Sequence, residues 1–126
     1  MQVLHFNPDT ILATMHELSV TENILEIALR HAQESNAARV ININLVIGQL
    51  SSIIDDSVQF YWDMVSKDTI AEGAKLHFTR IPARLLCQDC DQEYSPSGEL
   101  ICPSCHGSHV AVLSGNEFRM ESIDVE

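Results

Sequence analysis

Basic residues are scarce in this chain: 7 Lys and Arg stand against 18 Asp and Glu over 126 residues, a formal net charge of −11 with histidine neutral. A surface of that sign repels phosphates and lacks the cations that would release counterions from DNA or RNA, so nucleic acid is disfavoured as a partner. Long apolar runs are also missing. The longest, Val40 to Gly48, is interrupted by Asn42 and Asn44, far short of the roughly 18 residues a membrane helix needs, and no membrane span is expected. Residues 1–14 have no basic leading region and place Pro8 and Asp9 where a signal peptide would be continuously apolar, which points to the cytoplasm. With 5 Gly and 4 Pro and no low-complexity segment, the chain has little that would keep it unfolded, and its 45% apolar content can supply a core.

What is present begins with helical patterning. Ser19-Val20-Thr21-Glu22 has the form of a capping box, predicting a helix start at Ser19. Thr21, Ile24, Leu25, Ala28 and Ala32 then fall on one stripe, with Asn36 as a left-handed stop. In "RVININLVIG" Ile41, Ile43, Leu45 and Ile47 alternate with Val40, Asn42, Asn44 and Val46, the period of a strand with one well-buried face. Asp55 or Asp56 can cap a second helix whose buried stripe is Val58, Tyr61, Trp62 and Val65, and "AEGA" at 71–74 breaks the chain before the next strand. That strand, from Lys75 to about Leu86, contains Pro82 and is expected to be an edge or bulged strand there. A last strand is expected in Glu117 to Val125.

The expected fold class is therefore α+β: two helices packed on a sheet of about three strands, with an inserted zinc-ribbon-like four-cysteine subdomain. Three parts are expected: an N-terminal extension at 1–14, an α+β domain at 15–86 plus 111–126, and a metal-binding subdomain at 87–110.

In "CQDCDQEYSPSGELICPSC", Cys87 and Cys90 form one C-x-x-C pair and Cys102 and Cys105 another, with eleven residues between. A two-residue spacer lets both sulfurs of a tight turn reach one ion, and two such turns complete a tetrahedron, leaving no open position for water. Zn(II) in a structural role is the favoured reading. Rubredoxin-like iron uses the same ligands and stays open. A thioredoxin-type redox pair lacks its βαβ frame, and haem attachment at "CPSCH" lacks both an export signal and a reason for the second pair. His106 and His109, just after the fourth cysteine, read as exposed loop residues; His5, His31 and His77 read as surface or satisfied positions.

Met15-His16-Glu17 stands just before the first helix. If the chain begins at Met15, its α-amine, the His16 amide and the His16 ring nitrogen can close fused chelate rings around one ion, with Glu17 as a further donor. A planar, nitrogen-rich set of that kind favours Ni(II) or Cu(II) over zinc. If translation starts at Met1, only the His16 and Glu17 side chains remain.

"MHELSVTENIL", followed by "VININLVIGQLSSI", "AEGAKLHF" and "CQDC…CPSC", resembles the HypA/HybF family of nickel metallochaperones of hydrogenase maturation, collinearly over residues 15–126. The resemblance implies a non-enzymatic carrier, not an enzyme, that holds Ni(II) as cargo at Met15, His16 and Glu17 and zinc at Cys87, Cys90, Cys102 and Cys105. It also implies delivery to the [NiFe]-hydrogenase large subunit precursor, or in some members service to urease. The implied partners are the nickel-handling GTPase of hydrogenase maturation (HypB) and a second copy, since members occur as monomer or homodimer. The fourteen residues before Met15 depart from the family, which begins at the methionine of Met-His-Glu, and the preferred reading is a misassigned start. The alternative function is a zinc-ribbon protein-interaction adaptor without nickel transfer.

Overall fold

The structure, a computed structural model, describes residues 1–10, 17–53, 55–96 and 100–126, with residues 6–10 described in their backbone only. Along the chain come β1 (Gln2–Thr10), α1 (Glu17–Glu34), β2 (Val40–Gly48), α2 (Asp55–Val65), β3 (Lys75–Ile81), β4 (Arg84–Cys87), β5 (Glu93–Tyr94), β6 (Val110–Ser114) and β7 (Phe118–Val125). They form a four-stranded sheet of order β1-β7-β2-β3 and a three-stranded sheet of order β5-β4-β6. The class is α+β, as the patterning predicts.

Helix α1 starts at Glu17 rather than Ser19, so the capping-box reading is corrected: Ser19 lies inside the first turn. The Thr21 hydroxyl instead donates to the Glu17 carbonyl at 2.6 Å. The buried arc is wider than the predicted stripe, because Val20 and Ile27 join Thr21, Ile24, Ala28 and Ala32 while Leu25 is only half-buried. An arc that wide is what a helix needs when it packs on both a sheet and a second helix. Asn36 ends the helix with φ 57°, as the sequence suggests, while the Ala37 amide closes on the Ala32 carbonyl at 2.9 Å.

On β2, Ile43, Leu45 and Ile47 enter the core, but Val40 takes the place expected of Ile41, since the pairing with β7 is bulged between Val40 and Asn42. Helix α2 then crosses over and returns the chain as β3, parallel to β2 from Asn42↔Lys75 to Gly48↔Ile81. On α2, Val58 and Trp62 are fully buried and Tyr61 and Val65 only partly.

The structure departs from the sequence reading in two further places. First, the strand expected to run from Lys75 to Leu86 is divided at Pro82-Ala83, where proline cannot donate to a ladder. Its first part belongs to one sheet and its second, β4, to the other. Second, the larger sheet has a fourth strand: β1 pairs antiparallel with β7 from Gln2↔Val125 to Thr10↔Arg119, and Leu4 packs against the main core.

The sheets are joined where β2 ends. The Gly48 amide donates to the Glu117 carbonyl at 2.7 Å, the Leu50 amide to the Gly115 carbonyl at 2.7 Å, and the Ala83 amide to Gln49 Oε1 at 2.8 Å. Leu50 thereby packs against the small second core of Leu85, Cys87, Tyr94 and Cys102.

Candidate metal centre

Strand β4 ends on Cys87, so the first ligand candidate is fixed by the sheet itself, its backbone paired with Val110 of β6. From there the chain turns twice in the same way. The Cys87 carbonyl accepts the Asp91 amide at 2.8 Å and its amide donates to the Gln92 carbonyl at 2.9 Å; the Cys102 carbonyl accepts the His106 amide at 2.9 Å and its amide donates to the Gly107 carbonyl at 3.1 Å. Asp91 and His106, the fifth residues of these matched turns, both have φ 59°. Each turn thus needs a left-handed residue one place after its second cysteine, a conformation that Asp, Asn and His tolerate better than most side chains.

The four sulfurs that result lie within 4.8 Å of one another. Cys87 Sγ and Cys105 Sγ are 3.5 Å apart, and Cys90 Sγ and Cys102 Sγ 3.6 Å. A tetrahedron with metal–sulfur bonds of ~2.3 Å has sulfurs about 3.8 Å apart, so this donor set fits one zinc-sized ion with little adjustment. Cys87 and Cys102 are buried, and Cys90 and Cys105 face outward.

The thiols are not equivalent. The Cys105 amide draws the Cys102 thiol down to about 7 from 9.0, against the effect of burial and with help from the Ser104 amide. For Cys90 the Gln92 amide pulls downward, but the Cys102 sulfur, desolvation and the Cys87 and Cys105 sulfurs together push it up to about 12. Cys105 is also raised: the Gly107 amide lowers it, and the Cys87 sulfur, desolvation and the Cys102 sulfur outweigh that. A cation placed among the four would relieve this crowding, since it favours every thiolate at once.

Tyr94 was not singled out by its sequence position. It is buried against Cys87 and Cys102, and its hydroxyl donates to the Leu100 carbonyl at 3.3 Å, closing the loop between the two cysteine turns. Its phenol is raised, first by burial and then by the neighbouring thiolates. The signal for it would have been its odd place, a lone aromatic in a polar, turn-rich segment.

His106 contributes its backbone to a turn, and His109 Nδ1 lies 3.2 Å from Asp89 Oδ1 with both side chains exposed. His77 is hydrogen-bonded to Asn42 Oδ1 at 2.8 Å and His31 lies 3.7 Å from Glu34, as expected of satisfied positions. Of the proposed nickel residues, Met15 and His16 lie outside the described residues; Glu17 is half-buried and opens α1. Among the described residues no helix is long and apolar enough to cross a membrane.

Comparison with known proteins agrees with the arrangement. A family described as hydrogenase/urease nickel incorporation, metallochaperone, hypA, matches residues 15–125. The chain is 46% identical over 114 residues to the hydrogenase maturation factor HypA of Dehalococcoides mccartyi (strain CBDB1), covering 89% of this chain and 95% of that protein. It is 36% identical over 113 residues to the hydrogenase maturation factor HybF of Salmonella typhimurium, covering 89% of this chain and all of that one. The fold is similar to the solution structure of the Ni metallochaperone HypA from Helicobacter pylori, with TM-score 0.62 and 23% identity over 88% of this chain and 97% of the other. Two helices on a sheet, a four-cysteine cluster of zinc-like spacing and a match running from Met15 almost to the last residue converge on one assignment: the chain belongs to the HypA family of nickel-incorporation metallochaperones.

Proposed function

We propose that the protein is a carrier that binds Ni(II) through Met15, His16 and Glu17 and helps insert it into the [NiFe]-hydrogenase large subunit precursor, together with the GTPase HypB. In this reading Cys87, Cys90, Cys102 and Cys105 hold one structural Zn(II). The observation that supports it most is the family match that begins at Met15, the first residue of the proposed nickel motif. The zinc assignment is supported by four thiols already at near-tetrahedral spacing.

Nickel is cargo, so its site must release as well as bind. In a chain that begins at Met15, a donor set at the start of α1 suits that, because a chain terminus opens with little cost to the core. With Met15 as first residue, the amine and the His16 nitrogens supply the planar set; in the chain beginning at Met1, the Met15 nitrogen is an amide and the His16 and Glu17 side chains are left as donors. Zinc, when bound, supplies a closed tetrahedral clamp and no open position for chemistry, which favours a carrier over an enzyme.

The test is calorimetric titration of Ni(II) into the zinc-loaded Met15-start, Met1-start and His16→Ala forms. The reading expects affinity to fall in that order; equal affinity in all three removes the N-terminal site. A zinc-ribbon adaptor that needs no second metal predicts instead that His16→Ala leaves hydrogenase maturation untouched.

A further inference from the structure

Helix α2 buries Val58 and Trp62. Phe60 and Met64, each two residues further on, are turned about 200° away from that face and point into solvent. Phe60 is 74% exposed and Met64 59%. Four residues apart, they stack into one apolar stripe, with the Phe60 ring edge-on to Tyr61 at 5.4 Å. Carboxylates border the stripe: Asp56 lies one turn before Phe60, and Asp63 adjoins Met64. Asp55 is taken by Arg80, but among the described residues neither Asp56 nor Asp63 has an ion-pair partner. The last turn of α2 holds no basic residue, so the negative end of the helix dipole has no cation within the helix, although Lys67 follows in the next turn.

An aromatic and a methionine exposed together on one ordered helix are what adaptable protein-binding faces use. The charge around them selects the occupant. A second copy would bring its own Asp56 and Asp63 and another net −11 against this face, and phosphate-bearing nucleic acid or anionic lipid would be repelled in the same way. We infer that the Phe60–Met64 face of α2 docks an amphipathic helix of a partner protein, one whose apolar stripe is flanked by Lys or Arg that pair with Asp56 and Asp63. This surface lies apart from the cysteine cluster and does not depend on the nickel reading.

The probe is a dye-labelled synthetic helix with a leucine stripe and flanking lysines and arginines, titrated by anisotropy against the zinc-loaded full chain. Two controls are a scrambled peptide of the same composition and one with glutamates in place of the basic residues. Saturable binding of the first peptide alone is expected. Phe60→Ser with Met64→Ser should weaken it about tenfold or more, and Asp56→Asn with Asp63→Asn should weaken it and flatten its salt dependence. Val112→Ser with Leu113→Ser, at exposed apolar positions on β6, should leave it unchanged. Circular dichroism shows whether each variant is folded, and if the serine pair is not, the asparagine pair decides. Equal binding by the scrambled peptide, or unchanged binding by both α2 variants, overturns the proposal. So does a dimer in sedimentation that Phe60→Ser with Met64→Ser dissolves, since the occupant would then be a second copy.

Discussion

Gly48 and Gly115 touch backbone to backbone: a β-carbon on Gly48 would overlap the Gly115 carbonyl, the same carbonyl that accepts the Leu50 amide. Gly115 itself has φ 103° and packs on Ala83, so neither glycine has room for a side chain. Gly48→Ala should therefore cost about 1–3 kcal/mol through forced overpacking, read as a lower denaturation midpoint in urea with an unchanged slope. Stability equal to that of the parent would mean that the junction between the sheets yields easily.

Metal removal should act unevenly. Among the described residues the segment from Arg84 to Ser114 has a core of four, two of them cysteines, whereas the core between the two helices and the larger sheet has nineteen. Structural zinc supplies ~10 kcal/mol or more of apparent folding energy to units of this kind. Chelation should speed amide exchange at Asp91, Gln92, His106 and Gly107 first and leave the amides of β2 and β7 protected. Simultaneous loss of both regions would show that they unfold together.

In metal-free protein Cys102 should ionise first. Its thiol sits near 7 in the fold against 9.0 ordinarily, so its contribution to folding is full above about 9 and is lost as pH falls through about 7. Cys90, raised to about 12, has the opposite sign: the protonated thiol favours the fold below about 9, and that advantage disappears as pH rises towards 12. The ultraviolet thiolate band of the metal-free chain should show a step near pH 7 that Cys102→Ser abolishes. A first step near 9, unaffected by that change, would contradict the assignment.

Starting the chain at Met15 removes β1 and uncovers the outer edge of β7, with loss of the Leu4 contact to the core. Stability should fall by about 1–3 kcal/mol, and the bare edge should promote association at high concentration. Thermal unfolding and sedimentation of the two forms would measure both. An unchanged midpoint would make β1 an ornament of the sheet.

How much of this was legible depended on range. The paired C-x-x-C turns and the alternation along β2 from Ile43 to Ile47 are local patterns and appear where the sequence puts them; only the bulge near Val40, a matter of pairing with β7, displaces Ile41 from the core. Strand β1 is different, because its partner lies at the far end of the chain: nothing in residues 2–10 announces Gln2↔Val125. The division at Pro82-Ala83 was half visible, since proline signalled an interruption without saying that the chain changes sheets. The capping box at Ser19 misled because Ser and Glu also fit an ordinary first turn, and Val20, right after Ser19, is already buried in the main core. At the cysteines the four-thiol cluster was legible, but the left-handed Asp91 and His106 were not, since neither is glycine or asparagine, the usual flags of that conformation.

Leu50 leaves the end of one sheet and packs, half-buried, against the small interior of the other. The cysteine-bearing strands are therefore assembled with a wall they do not encode. Cut out as a peptide of residues 84–114, they would have to order both turns with Leu85 partly uncovered, and would spend metal affinity doing so. The intact molecule arrives with that ordering done in advance, and its thiols should grip their ion more tightly than the same four cysteines on their own.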